Sequence, residues 1–414
     1  MHVIQVNKFH YVKGGAERYY VDLSAALVRA GHEVNHLAMA HPRNIPGGPL
    51  DRFVTEVDYR AHLGLREKLR QATRTIYNRE TARMAGEMAR RYGPALAHLH
   101  NIYHQLSPSV IDAFVRAGVP VVQTLHDYKL VCPAYLLLTE GVVCERCRGG
   151  RYWQAVRHRC LLDSSAASLV AMTEAFWHRA RGTYGRVARF LCPSRFLLEK
   201  VASFGVPRER LEHLPYFVPL ERYHPAPVPE RVVGEPVTGV FVGRLSREKG
   251  VATLLDAMAT LPAGTVRMEI LGEGPLRGEL EEQARRVCSD GRIRFLGYRA
   301  GDALHDTIRS ASFAVVPSEW YENLPYGVLE PFALGRPVVG ARIGGIPELV
   351  RDGETGRLFP SGDARALAAA LAWMADPQAG LAALGEQARR VVERDHAEAP
   401  HLRRLLEIYA EVAR

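Results

Sequence analysis

The sequence predicts an α/β protein built from two Rossmann-like domains, each a parallel sheet with helices on both faces. Three observations carry this. Short apolar runs bounded by turn residues alternate with helix-compatible segments, as in a parallel sheet whose strands are buried on both sides. The alternation stops between Pro215 and Pro236, where Pro215, Pro219, Pro225, Pro227, Pro229 and Pro236 crowd together, and then starts afresh. The length, 414 residues, exceeds one hydrophobic core and suits two domains of ordinary size.

Taken in order, residues 2–6 read as a buried strand, 8–15 as a loop and 16–30 as an amphipathic helix stopped by Gly31. Residues 33–40 return as a strand and complete a β-α-β unit. Residues 60–91 are helical in pattern and heavily basic. Residues 96–102, 119–125 and 189–192 are further buried strands. The proline-rich stretch reads as an interdomain linker. Beyond it, 239–242 is a strand, 251–261 a helix, 267–271 a strand and 275–287 a helix. Residues 292–296, 313–316 and 338–340 supply more strands, and the chain after Asp363 is helical. The domains are expected at 1–215, with a cysteine-rich insert at 128–162, and at 216–396.

Hydrophobic residues make up 47% and charged residues 24%, as in a soluble globular protein. No run of about 18 apolar residues suggests a membrane span. Residues 2–6 begin as a strand without a charged leader, so a cytoplasmic location is expected. A net charge of +9 points to anionic partners. The basic stretch 60–91 suits peripheral contact with an anionic membrane, or equally a solvated helix face. Nucleic acid is not expected, because no aromatic-basic interleaving or reading helix is evident.

Function is most legible at residues 319–330, Glu-Trp-Tyr-Glu-Asn-Leu-Pro-Tyr-Gly-Val-Leu-Glu. This stretch follows the apolar run 313–316 and leads into a helix expected over 326–334. Pro325 suits the first helical position, where its missing N–H would go unpaired anyway. Strand, loop and helix start form the place where an open α/β sheet binds its ligand, with free N–H groups aimed at an anion. Glu322 and Glu330 are acceptor-only groups that can hold hydroxyl pairs on two parts of one ligand. The ligand implied is rich in hydroxyls with an anion between them, which a nucleotide-sugar fits. Arg244 and Lys249 flank a loop after a strand, where two cations can neutralise a diphosphate. Gly14 and Gly15 stand between the first strand and helix, where glycine permits positive φ and close approach to a ligand. His126 and Asp127 end the strand that starts at residue 121. Gly297 and Tyr298 follow another strand, and Gly272 and Gly274 suggest a tight turn nearby.

Together these motifs resemble a known family. They are the Glu-x7-Glu arrangement, Pro337-Val338-Val339, Gly344-Gly345-Ile346-Pro347-Glu348, Gly353-Glu354-Thr355-Gly356, Gly14-Gly15-Ala16-Glu17, Gly243 through Gly250, and Leu271 through Leu276. In this order they resemble the family-four retaining glycosyltransferases of the GT-B fold, over nearly the whole chain. The resemblance implies two domains facing a cleft, with a C-terminal helix in 397–414 (roughly 401–413) returning to the first. It implies that Arg244 and Lys249 grip the donor diphosphate, that Glu330 holds the ribose and that Glu322 holds the sugar. The backbone N–H groups of Asn323 and Leu324, with Gly14 and Gly15, would complete the donor contacts. Gly297 and Tyr298 would meet the base, and His126 would steady the transferred sugar. His126, Glu322, Arg244 and Lys249 are thus the expected catalytic set. No cofactor is expected for catalysis, since no Asp-x-Asp stands at a strand end. The function implied is retaining transfer of a sugar from a nucleotide-diphosphate sugar to an acceptor hydroxyl. A nucleotide-sugar epimerase and a two-domain NAD-dependent oxidoreductase are the alternatives. The latter lacks a Gly-x-Gly-x-x-Gly after the first strand.

The cysteines stand outside these motifs. Cys132, Cys144, Cys147 and Cys160 lie within 29 residues, with Cys144 and Cys147 forming a CxxC. In a reducing compartment this spacing predicts a structural site of four thiolates, most naturally for zinc, with His158 as a substitute ligand. An iron–sulfur cluster, a labile disulfide pair and four reduced thiols are the other readings.

Overall fold

The computed structural model describes residues 1–57, 64–91, 95–232 and 234–414. Its strands, in chain order, begin with β1 (His2–Val6), β2 (Glu33–Met39), β3 (Arg52–Val54), β4 (Ala95–Leu99) and β5 (Val121–Thr124). A short pair follows, β6 (Leu138–Thr139) and β7 (Val142–Val143), and then β8 (Arg189–Cys192) and β9 (Leu211–His213). β1–β5, β8 and β9 form one parallel sheet of order β3-β2-β1-β4-β5-β8-β9. Every residue of β1 and β4 is buried, which is why both read as near-continuous apolar runs. The polar exceptions, His2, Gln5 and His98, are all hydrogen-bonded inside the unit.

A second parallel sheet comprises β10 (Val237–Val242), β11 (Val266–Leu271), β12 (Ile293–Gly297), β13 (Phe313–Val316), β14 (Val338–Ala341) and β15 (Gly356–Phe359). Its order is β12-β11-β10-β13-β14-β15. The order reverses between β10 and β13, so the loops leaving those two strands border the crevice where such a sheet binds its ligand. Residues 243–250 and 317–325 are those loops.

The chain divides into two compact units, Met1–Glu140 with Cys144–Tyr216 and Ala399–Arg414, and Gly141–Val143 with Phe217–Glu398. The last helix, Glu398–Val412, packs almost wholly within the first unit. There Tyr409 Oη and His98 Nδ1 are 2.6 Å apart, and His401 bridges Tyr19 Oη at 3.0 Å and the Pro215 carbonyl at 2.8 Å.

Most of the proline-rich stretch expected as an interdomain linker belongs to the second unit. The chain passes between units at Tyr216 and Phe217, and residues 225–227 are fastened to the second unit by a buried arginine. Arg336 donates to the carbonyls of Ala226 at 2.7 Å, Pro227 at 3.0 Å and Ala311 at 2.7 Å. These carbonyls come from separate segments, and a planar five-donor guanidinium collects them.

The basic stretch forms two helices, Leu65–Ile76 and Arg79–Arg91, while Arg60 lies outside the described residues. Part of its charge is neutralised locally, by Arg74 with Glu80 and by Arg83 with Glu87 at 2.7 Å. The helices Ser109–Arg116, Ser165–Ala180 and Arg195–Ser203, with β3, β9 and β15, were not foreseen. Among the described residues no single helix is long and apolar enough to cross a membrane.

Ser165–Ala180 holds one end of the cysteine-rich insert through a buried ion pair. Lys129 and Glu174 are each only 2% exposed, and Lys129 Nζ also donates to the Pro133 carbonyl at 3.0 Å. Glu174→Gln leaves the lysine charge buried without its counter-ion. The expected loss is about 3–5 kcal/mol of stability, read as a lowered urea midpoint. A variant with unchanged midpoint would show the pair to be dispensable.

Candidate functional site

The loop after β13 is built to expose polar groups at the switch point. Glu322 is buried, and its Oε1 accepts from Lys249 Nζ at 2.6 Å and from Ser318 Oγ at 2.7 Å. Lys249 also stands over the Trp320 ring, 5.2 Å from its centroid, so its ammonium is held from two sides. The Glu322 backbone is fixed as firmly. Gly345 N–H donates to its carbonyl at 2.7 Å, and Gly344, at φ +59°, lies so close that a Cβ would fall 2.3 Å from that oxygen. The Gly344-Gly345 pair therefore seats the acidic loop. Gly250 has the same logic on the opposite side of the crevice. At φ +67° it lets the Lys249 turn press against Pro317, where a Cβ would meet the carbonyl oxygen at 1.8 Å.

Beyond Glu322, the Asn323 side chain is 5% exposed, and neither its Oδ1 nor its Nδ2 has a hydrogen-bond partner among the described residues. The Trp320 indole N–H is in the same position. Buried amides in folded proteins are almost always satisfied, so two orphans on one loop mark where a polar ligand belongs. Pro325 caps the helix Tyr326–Ala333, one position earlier than expected, and Leu324 beside it is buried. Glu330 lies inside that helix with its carboxylate buried, and Tyr223 Oη donates to it at 3.1 Å. It is not the exposed helix acid that position would ordinarily carry.

Arg244 is exposed and has no ion-pair partner among the described residues. The loops after β10, β11 and β12 are laced together by Gly243 N–H to Leu271 O at 3.0 Å and Gly272 N–H to Gly297 O at 2.9 Å. Gly297 closes β12, and Tyr298 beyond it is 63% exposed. Thus Lys249, Glu322, Asn323 and Leu324 sit on facing loops of one unit, with Glu330 in the helix that follows. Sequence reasoning missed Ser318, Trp320 and Tyr223. Trp320 lay inside the quoted motif, whereas Tyr223 is 107 residues from its partner and had no sequence signal.

In the first unit, Gly14 and Gly15 are exposed at the start of the helix Gly15–Arg29. Neither adopts positive φ, and Gly14 is extended, so the left-handed conformation expected there is not used. What remains is an open helix N-terminus without side chains to obstruct it.

His126 lies two residues beyond β5 and is half-buried. With the Gln5 amide oxygen facing His100, the hydrogen bonds run in one direction. His100 Nε2–H donates to Gln5 at 2.6 Å, His126 Nε2–H donates to His100 Nδ1 at 2.9 Å, and Tyr216 O–H donates to His126 Nδ1 at 2.6 Å. Both ring nitrogens of His126 are committed. A ring contact to a sugar, as the sequence suggested, would require a hydroxyl to replace one of these partners. Burial, reinforced by Lys8, pushes the His126 pKa down to about 3, so the imidazole is neutral.

These histidines give the fold a predictable acid sensitivity. Burial lowers His98 to about 3 and His36 to about 4, alongside His126. The unfolded chain binds these protons near pH 6.5 and the folded chain does not. Stability is complete above that pH and falls as pH drops toward 4, by about 1.4 kcal/mol per pH unit for each group. Urea midpoints measured from pH 7 to pH 5 should decline steeply. A flat profile would mean that these imidazoles are already charged or solvated.

The four insert cysteines converge on one small cavity, lined also by Leu137, Ala155 and His158.

Two parallel-sheet units, with this loop at the switch point of the second, define the GT-B class. The family model described as Glycosyltransferase Family 4 matches residues 13–222, and that described as Glycosyl transferases group 1 matches residues 236–376. The chain belongs to glycosyltransferase family 4. It is 27% identical over 231 residues to the amylovoran biosynthesis glycosyltransferase AmsK of Erwinia amylovora, covering 53% of this chain and 55% of that one. It is also 27% identical over 365 residues to the phosphatidyl-myo-inositol mannosyltransferase of Mycolicibacterium smegmatis, covering 87% and 81%. The chain spans about half the length of the first curated relatives it matches. Among solved structures, sucrose-phosphate synthase from Thermosynechococcus elongatus superposes with a TM-score of 0.70 at 19% identity, over 99% of this chain and 98% of that one. Anabaena HepE in complex with UDP-glucose gives 0.70 at 17%, over 99% and 100%.

Proposed function

We propose that the chain is a retaining glycosyltransferase that moves a sugar from a nucleotide-diphosphate sugar to an acceptor hydroxyl. The observation that carries this is the β13 loop. It combines a half-buried Lys249 paired with a buried Glu322 and an unsatisfied buried amide at Asn323, a constellation suited to a ligand carrying both phosphate and hydroxyls. Lys249 and Arg244 take up charge as the sugar C1–O bond to the diphosphate breaks. Glu322 accepts from sugar hydroxyls and Glu330, steadied by Tyr223, from the ribose. The acceptor oxygen forms the new bond to C1 on the same face, and its proton passes to the departing diphosphate. The UDP-glucose complex of HepE supports a nucleotide-sugar donor, and the name of AmsK supports a glycan acceptor. The basic helices Leu65–Ile76 and Arg79–Arg91 suit an acceptor presented at an anionic membrane.

The test is a thermal-shift screen of nucleotide-sugars, followed by transfer assays with the donor that raises the melting temperature. Proton NMR of the product should show the donor's anomeric configuration kept. Turnover of a nucleotide-sugar to its epimer without any acceptor would replace this reading with the epimerase. Inversion at C1 would leave transfer standing and remove the retaining mechanism.

A further inference from the structure

The insert between Tyr128 and Asp163 has little regular structure to hold it. It contains β6, β7 and single helical turns at Arg148–Gly150 and Gln154–Arg157. Six non-glycine residues, Tyr135, Leu137, Glu140, Arg159, Leu162 and Asp163, adopt positive φ between 46° and 57°. That concentration of left-handed backbone is costly and persists only where the surroundings enforce it. Val131, Ala134, Leu137, Tyr152 and Ala155 are buried, but Val142, Trp153 and Leu162 are exposed, so apolar packing holds only part of the insert.

Its cysteines offer a further hold. Cys132, the Cys144–Cys147 pair and Cys160 come from three places along the insert and line a cavity of about 10 Å³. The other walls are apolar or neutral, apart from Arg146 and His158, and no carboxylate lines it. Hydrogen-bond donors are already aimed at the sulfurs. The backbone N–H groups of Ala134 and Leu137 reach Cys132, that of Ala155 reaches Cys147, and Thr139 Oγ1 lies 3.2 Å from Cys160 Sγ. Such donors stabilise thiolates. Four sulfurs facing one cavity, with donors aimed at them, form a pocket shaped to hold thiolates around a cation.

A second cluster, His10, His36 and Asp51, has its ligand atoms within 4.8 Å of one another. Tyr20 Oη already bridges its two imidazoles at 2.8 and 2.7 Å, so it is satisfied internally. The cysteines have no comparable internal solution.

We propose that Cys132, Cys144, Cys147 and Cys160 bind one zinc ion that fixes the insert onto the first unit. Four protein ligands leave no open position, so the ion is structural. Thiolates about 2.3 Å from one zinc stand roughly 3.8 Å apart. No three of these sulfurs come within 4.8 Å of one another, so binding requires them to move inward. The assignment is independent of the transferase reading, and its test does not involve activity.

The experiment uses the full chain, purified without chelator, with its metals counted by mass spectrometry. The expected result is about one zinc per chain, released when a mercurial titrates the thiols. Cobalt exchange should give the visible bands of a tetrahedral site and strong sulfur-to-cobalt charge transfer for four thiolates. Cys144→Ser combined with Cys147→Ser should lose the zinc, whereas Cys192→Ser should keep it. Should the double variant not fold, the cobalt spectrum of the unmodified chain decides alone. Metal at less than roughly a tenth of an equivalent, iron with acid-labile sulfide, or a disulfide between any of the four would each overturn the proposal.

Discussion

Replacing Lys249 with alanine is expected to lower sugar transfer by roughly 10²–10³-fold, or about 3–4 kcal/mol of transition-state stabilisation. In the proposed reaction, negative charge builds on the diphosphate only as the glycosidic bond breaks. A cation held in place beforehand stabilises that charge without reorganising. Lys249 is so held, by Glu322 Oε1 at 2.6 Å and by the Trp320 ring. The loss should therefore fall mainly on kcat, with donor KM changing little. Arg244→Ala is the informative companion. That side chain is exposed and makes no ion pair among the described residues, so its removal should slow transfer and leave the melting temperature unchanged. Lys249→Ala, by contrast, leaves a buried Glu322 carboxylate with Ser318 as its one side-chain donor among the described residues, and should also cost about 1–3 kcal/mol of stability. Combining it with Glu322→Gln should recover stability but not rate. Transfer by Lys249→Ala within threefold of the parent would remove this lysine from the chemistry.

The strands and the switch-point loop were legible because burial on both faces leaves an unbroken apolar run, as in 313–316. Punctuation by proline and glycine then marks where such a run ends. The same punctuation misled at residues 215–236. Proline density signals a turn or linker, but it cannot show that Arg336, more than 100 residues later, ties down Ala226 and Pro227. At Gly14 the residue type was read as conformational need, whereas the extended backbone there needs only an absence of bulk. Glu322 and Lys249 could be named separately, but their contact spans 73 residues and follows from the β10–β13 pairing. Tyr223 on Glu330 and the commitment of both His126 nitrogens are likewise products of tertiary packing, which leaves no local pattern in the chain.

A large loss of stability is expected from Arg336→Met. Arg336 has no exposed surface and donates to the carbonyls of Ala226, Pro227, Arg309, Ala311, Leu334 and Gly335. Burial and the nearby Arg309 lower its pKa to about 10, so it remains charged at neutral pH, neutralised by carbonyl dipoles. Exchanging a buried ion pair for apolar side chains is often harmless, because both charged partners leave together. Here the partners are backbone and stay behind. Methionine fills similar space but leaves several carbonyls without a donor, each costing about 1–3 kcal/mol unless water reaches it. A net loss of about 3–4 kcal/mol is expected once the 225–227 segment relaxes outward, lowering the melting temperature by roughly 6–12 °C. Arg336→Lys should recover only part of this, because an ammonium offers three donors from one point and cannot span carbonyls on separate segments. If Arg336→Met melts within about 2 °C of the parent, the proline-rich segment is held by its apolar contacts instead, and the guanidinium is incidental.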